Sequence, residues 1–228
     1  VEASIKGLAK FDATSSSPSE PNGISLTATA SPTIDAAAVA VSAAGSFSTG
    51  ESNPSSGFTG AVSGAGAEST NVILGSTTAT IASSTVTSKG DVTAAATMTG
   101  TITAHVDAVS VAVAGGQTGA IGVAVGAGVA RNLIGFDGDD REAVSVTASV
   151  DDASITAAGL VSLDAESTQT VNAYVNAVSV ALAMSTKSDS ISASGSGVLA
   201  ENRIATAVEA WMGTAMGAPP LAVVAKNV

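Results

Sequence analysis

The sequence predicts an all-β chain, a parallel β-solenoid (β-helix), and three observations carry that prediction. Composition is the first. The chain has 228 residues, 45% hydrophobic but only 3% aromatic, and Ala and Val dominate with Gly, Ser and Thr. Side chains this small fill a thin core, whereas a compact globule of this length draws on Leu and Phe to fill a thick one. Internal repetition is the second, because self-similarity at a fixed period is the mark of stacked repeats. Strict two-residue alternation is the third, because successive side chains of a strand point to opposite faces. The mean hydropathy of +0.42 and the recurring Val and Ile separate the chain from disordered Ser/Gly/Thr-rich sequences.

The repeat consists of anchors in a constant order. Apolar alternation marks ISLTATA (24–30), DVTAAAT (91–97) and LVSLDAE (160–166). Next come IDAAAVAVS (34–42), ITAHVDAVS (102–110) and VNAYVNAVS (171–179), spaced 68 and 69 residues apart. Asn-x-Ile follows a Gly-rich run three times, at Asn71, Asn132 and Asn202. A further anchor, VEASI, TTATI, VSVTASV and VEAWM, frames the units at about 1–76, 77–145 and 146–207, with a partial fourth over 208–228. All lie in one elongated solenoid, 1–228. A unit of 68 residues is long for one coil, so about three coils of roughly 20–24 residues are expected per unit, and ten or so coils make a rod on the order of 50 Å long. The chain opens at Val1 without a leader pattern, as expected of a piece of something longer.

Within a unit, Ile102, Ala104, Val106 and Ala108 share the inward face, and Thr101, Thr103, His105 and Asp107 the outward one. Val171, Ala173, Val175 and Ala177 repeat the inward set, and a change of parity is expected at Ala108-Val109. The inserts read as loops: FDATSSSPSEPNG (11–23), the stretch around GESNPSSGF (50–58), and FDGDDREA (136–143). The uncharged run 108–130 is long enough for a membrane helix. Its repeat partner, 177–200, carries Lys187 and Asp189, so a solenoid segment is expected instead.

Charge and residue types exclude several chemistries. Eight Lys+Arg against 19 Asp+Glu give a net charge of −11, which disfavours nucleic acid and anionic membranes. With no Cys and a single His, disulfide scaffolds, thiolate metal sites and most general-base catalysis drop out. The chain is not expected to be an enzyme. His105, Asp107 and Ser110 contain the residue types of a hydrolytic triad, but the repeat puts Ala37 and Tyr174 where His105 stands, and a surface role is expected. The metal candidate is the acidic insert. Asp137, Asp139, Asp140 and Glu142 lie within six residues, with Asp151-Asp152 beyond, and such oxygen donors suit Ca²⁺. A plain acidic turn held by Arg141 is the competing reading. The row Thr97, Thr99, Thr101 and Thr103 has the spacing of an ice-binding face, but Glu166 and Asn172 interrupt it in the next unit. The Asn anchors, taken as three coils apart, are expected to cap turns separately rather than to stack. Trp211 aligns with Ser4 and Ser149 on the outward face, against a neighbouring unit or at an interface.

AVSVAVA with GAGVARNLIG and VxAxV, and GSGVLAENRIATAVEAWM, resemble the repeats of giant bacterial extracellular proteins, the adhesin-like, filamentous-haemagglutinin-type β-solenoids of cell surfaces. The resemblance covers most of 77–216 and unit one loosely. It implies export to the extracellular space or cell surface and a structural or adhesive role as a rod-like stalk or filament unit. It supplies no catalytic residue and no obligatory cofactor. The expected partners are like chains or adjoining repeats end to end, and cell-surface glycans, with no nucleic acid and no membrane span. The alternative is a ligand-binding module whose inserts hold calcium or glycan, with ice binding behind it.

Overall fold

The computed structural model describes residues 1–14, 23–48, 58–214 and 222–225. Most of both Ser/Pro-rich inserts of unit one (15–22 and 49–57) falls outside that set. The described residues form strands joined by turns, with no helix, and their long-range pairing is parallel throughout. The first coil is β1 (Glu2–Lys6), β2 (Phe11–Ala13), β3 (Ile24–Ala30), β4 (Thr33–Phe47) and β5 (Phe58–Ile73). The second is β6 (Ser76–Ala82), β7 (Thr85–Ser88), β8 (Val92–Gly116) and β9 (Gly119–Ile134). A small hairpin follows, β10 (Phe136–Asp137) and β11 (Asp140–Arg141). The third coil is β12 (Val144–Asp151), β13 (Ser154–Ala157), β14 (Val161–Ser185) and β15 (Ser190–Ile204), and β16 (Thr206–Gly213) and β17 (Ala222–Val224) begin a fourth.

Strands of successive coils stack in four sheets. Sheet 1 is β1-β6-β12-β16, sheet 2 is β2-β7-β13-β17, sheet 3 sets β8 between β14 and β3/β4, and sheet 4 is β5-β9-β15. The solenoid is therefore as expected, but the number of coils is not. Ile34 pairs with Ile102, and Ile102 with Val171, so one repeat unit is one coil rather than three. The chain describes three full coils and part of a fourth. At about 4.8 Å per coil the stack is only on the order of 20 Å high, whereas a 25-residue strand runs roughly 80 Å. The molecule is a broad slab, not a 50 Å rod. The register also places β17 beside β13, with Val223 against Ile155.

The expected corners failed because the inward residues are too small to need them. Over its first turn β8 faces sheets 1 and 2, and these three walls enclose a base packed with Ile81, Val86, Val92, Ile102, Ile134, Val144, Val146, Val150, Ile155 and Val161. Beyond Ile102 the walls close up. Sheets 3 and 4 run on face to face as a two-layer blade, with Ala112, Ala114, Ala120 and Ala124 between them. A Cβ on Gly122 would lie 2.9 Å from the carbonyl oxygen of Leu182 across the blade, and one on Gly126 3.3 Å from that of Val178. Glycine there lets the sheets approach more closely than the usual ~10 Å. Alternation on β8 continues unbroken to Gly116, so the parity change expected at Ala108-Val109 does not occur.

True corners carry left-handed backbone. Lys6 pairs with Ala82 and Ala82 with Asp151, so Gly7, Ser83 and Asp152 occupy one corner of successive coils, at φ of 67°, 48° and 48°. Gly75 and Gly135 turn the chain from sheet 4 into sheet 1, at φ of 134° and 73°. Glycine adopts such angles without a Cβ clash, and Asp tolerates them better than most residues.

Candidate functional surfaces

The acidic insert is the small hairpin between β9 and β12. Phe136 pairs with Arg141 and Asp137 with Asp140, while Gly138 takes φ of 60°. The residue that pins it is Arg203 on β15, not Arg141. The Arg203 guanidinium donates to the Gly138 carbonyl at 3.3 Å and to Asp139 at 3.1 Å, and it lies 4.1 Å over the Phe136 ring. Asp137, Asp139, Asp140 and Glu142 are all exposed. Among the described residues no three carboxylate or imidazole groups gather closely enough to hold a metal ion. A strand-pairing turn spreads its side chains outward, so density in sequence did not become density in space.

The outward row on sheet 3 holds the sole histidine. His105 and Tyr174 are register partners, and their rings stack at 4.7 Å between centroids, 8° from parallel. Beside them Asn176 donates to Asp107 at 2.9 Å. Ser110 is fully buried on the opposite face, so the three triad residue types do not meet. Thr97, Thr99, Thr101 and Thr103 do share the outward face, and Thr33, Thr101 and Thr170 align across three coils. Thr168 continues the Thr99 row, whereas Glu166 breaks the Thr97 row and Asp35 and Asn172 break the Thr103 row. Trp211 pairs in register with Ser149, as aligned from the sequence, and is 39% exposed.

The asparagines behave differently from the expectation. With one unit per coil, Asn71, Asn132 and Asn202 stand directly over one another on the inner face. Asn71 donates to the Asn132 side-chain carbonyl at 2.9 Å, and Asn132 to that of Asn202 at 3.0 Å. Asn132 is fully buried. The three anchors therefore form an amide ladder, a rung per coil, at the junction between base and blade. Serines do similar work inside the blade, where Ser110 donates to Ser63 at 3.0 Å and Ser63 to Ser42 at 2.9 Å.

Two surfaces were not legible as sites. One is the far face of the third coil. β9 is packed between β8 and β14, but β15 packs on β14 alone, and its inward residues stay open. Val198 is 60% and Ile204 48% exposed, whereas Ile134, the register partner of Ile204, is fully buried. The other is the outside of the blade, where valines and glycines face solvent. The run 108–130 belongs to it as the end of β8, a turn and most of β9. No helix among the described residues is long and apolar enough to cross a membrane. No family model matches this chain, and neither the curated proteins nor the solved structures contain a detectable relative.

Proposed function

We propose that this chain is a structural segment of an extracellular bacterial surface protein or filament, a coil stack that serves as a spacer or fibre unit by joining similar coils end to end. The coil-per-unit register carries the reading: Ile34, Ile102 and Val171 stand in one row across three coils, as do Asn71, Asn132 and Asn202. A further long strand laid beside β14 in the same register would cover Val198 and Ile204. The repeated anchors support it, since identical coil walls accept any number of additional coils. The slab is broad and short, so only stacking of many coils yields a stalk.

Electron microscopy and light scattering on the isolated protein test this. Short rods or filaments with slab-wide cross-section are expected. The pair Val198→Glu and Ile204→Glu, at positions already open to solvent, should keep the circular dichroism of the parent and remove the rods. A monomer at every concentration, with β14 and β15 amides protected from hydrogen exchange, would rule the proposal out.

A further inference from the structure

The four sheets do not end level. Among the described residues, sheets 1 and 2 hold four strands each, whereas sheets 3 and 4 are three coils deep. One end of the stack therefore carries β16 and β17 as a step above the bare edges of β14 and β15. At the other end β1 to β5 make one complete coil. Two chains laid end to end as they stand would meet through β16 and β1. That contact would hold β14 of one copy away from β3 and β4 of the next by a strand's width, about 4.8 Å. Sheets 3 and 4, which present the longest edges of the molecule, would stay unpaired.

We infer that the joint between two copies is a strand exchange, in which β16 and β17 of one chain take the places of β1 and β2 on β6 and β7 of the next. The inference rests on the end-to-end reading above and states how that joint is made. Register supports it. Ala3, Ala79, Ala148 and Ala210 form one inward row of sheet 1, and Ile5, Ile81, Val150 and Met212 the next. Ala210 and Met212 thus fit where Ala3 and Ile5 pack, and Val-Glu-Ala is common to both strands, at 1–3 and 208–210. Length favours the incoming strand. β1 meets β6 over five register pairs, whereas β12, eight residues long like β16, meets it over seven. β1 is also loosely held: Glu2, Ser4 and Lys6 are exposed, and Ala3 and Ile5 only half-buried. In sheet 2 the exchange is neutral, since β2 and β17 each make three pairs. The gain lies in sheets 3 and 4, where β3 and β4 of the second copy now reach β14, and its β5 reaches β15. Those edges run roughly 80 and 50 Å, about 1,300 Å² per partner at ~10 Å depth, more than a standard interface needs. The amide ladder is complementary across the joint. Among the described residues Asn202 keeps an amide without an acceptor, and Asn71 a side-chain carbonyl without a donor. The two ends of the stack are unlike surfaces, so the exchange propagates from copy to copy.

The chain has no cysteine, so introduced cysteines report the joint through disulfide formation. Within one chain Thr80 and Trp211 flank Ser149 on opposite sides, about 9.6 Å apart and beyond disulfide reach. Exchange sets Trp211 of one copy beside Thr80 of the next. An oxidised equimolar mixture of Trp211→Cys and Thr80→Cys should therefore yield heterodimers. Tyr174→Cys with Ala37→Cys should do so as well, because both align with His105 and report the contact of β14 with β4. Trp211→Cys with Ser4→Cys should yield none. Ile5→Ser, which loosens β1, should lower the concentration needed for assembly about tenfold. Heterodimers of the 174/37 pair without the 211/80 pair would overturn the exchange and leave the end-to-end reading standing. So would heterodimers of the 211/4 pair, or weaker assembly of Ile5→Ser. No heterodimer from any pair would overturn both.

Discussion

The base and the blade are made by the same strands, yet they are held together by different means. In the base, three walls surround Ile and Val side chains, and stability comes from apolar area withdrawn from water. In the blade, two walls meet almost backbone to backbone over Ala, Gly and Ser. Little apolar area is buried there, and dispersion at close approach with hydroxyl bonds takes its place. The difference follows from residue volume alone. Ile81 and Ile155 hold the base walls apart, while Gly122 and Gly126 require the blade walls to touch. The blade's larger residues face outward, so the blade, unlike the base, keeps its bulky apolar side chains on the outside.

Substitutions can break that comparison. The largest effect is expected from Val106→Asp at the blade root, where a fully buried valine would become an unpaired carboxylate. A loss of several kcal/mol in urea unfolding is expected, enough to abolish a cooperative transition. Gly122→Val follows, at about 3 kcal/mol, the upper end of overpacking, because its obstacle is the Leu182 backbone and not a side chain that can rotate away. Gly195→Val on the outer face is the control: nothing stands within 4 Å of its new Cβ, and its melting temperature should stay near that of the parent. Equal losses for both glycine variants would show that the walls are not in contact.

Asn132→Leu sharpens the boundary between the two regions. It removes the central rung of the ladder and leaves the buried Asn71 amide without its cross-coil acceptor, for a cost of about 2 kcal/mol. Hydrogen exchange should rise most at the start of β12 and the end of β9. The smallest effects belong to the outward row. His105→Ala and Tyr174→Ser each lose only an exposed ring stack, which should change stability by less than about 1 kcal/mol. A larger loss for His105→Ala than for Asn132→Leu would reverse the inside and outside assigned to β8.

The inside and outside of each strand were legible because alternation needs only the chain itself. Ile102, Ala104, Val106 and Ala108 are buried, and His105 is exposed, as their parity dictates. The 68-residue period and its anchors were equally plain, down to the pairing of Ser149 with Trp211. The acidic insert was legible as a loop, but its Arg203 clamp was not, since that arginine lies 64 residues from Asp139. The Asn ladder was visible as three anchors and misjudged for one reason, the assumed coil length.

The sequence by itself determined local quantities: strand alternation, repeat length, and the position of loops, all set by backbone stereochemistry and residue polarity. It did not determine how far a strand runs before the coil turns, because that depends on what stands opposite. Ala, Gly and Ser on both inner faces let sheets 3 and 4 meet directly, so no corner was needed for 25 residues, and one repeat closed one coil. Only the tertiary structure brings Gly122 to Leu182 and Asn71 to Asn132, and only there does it become clear that the blade half of this solenoid encloses no more than a thin core of small residues.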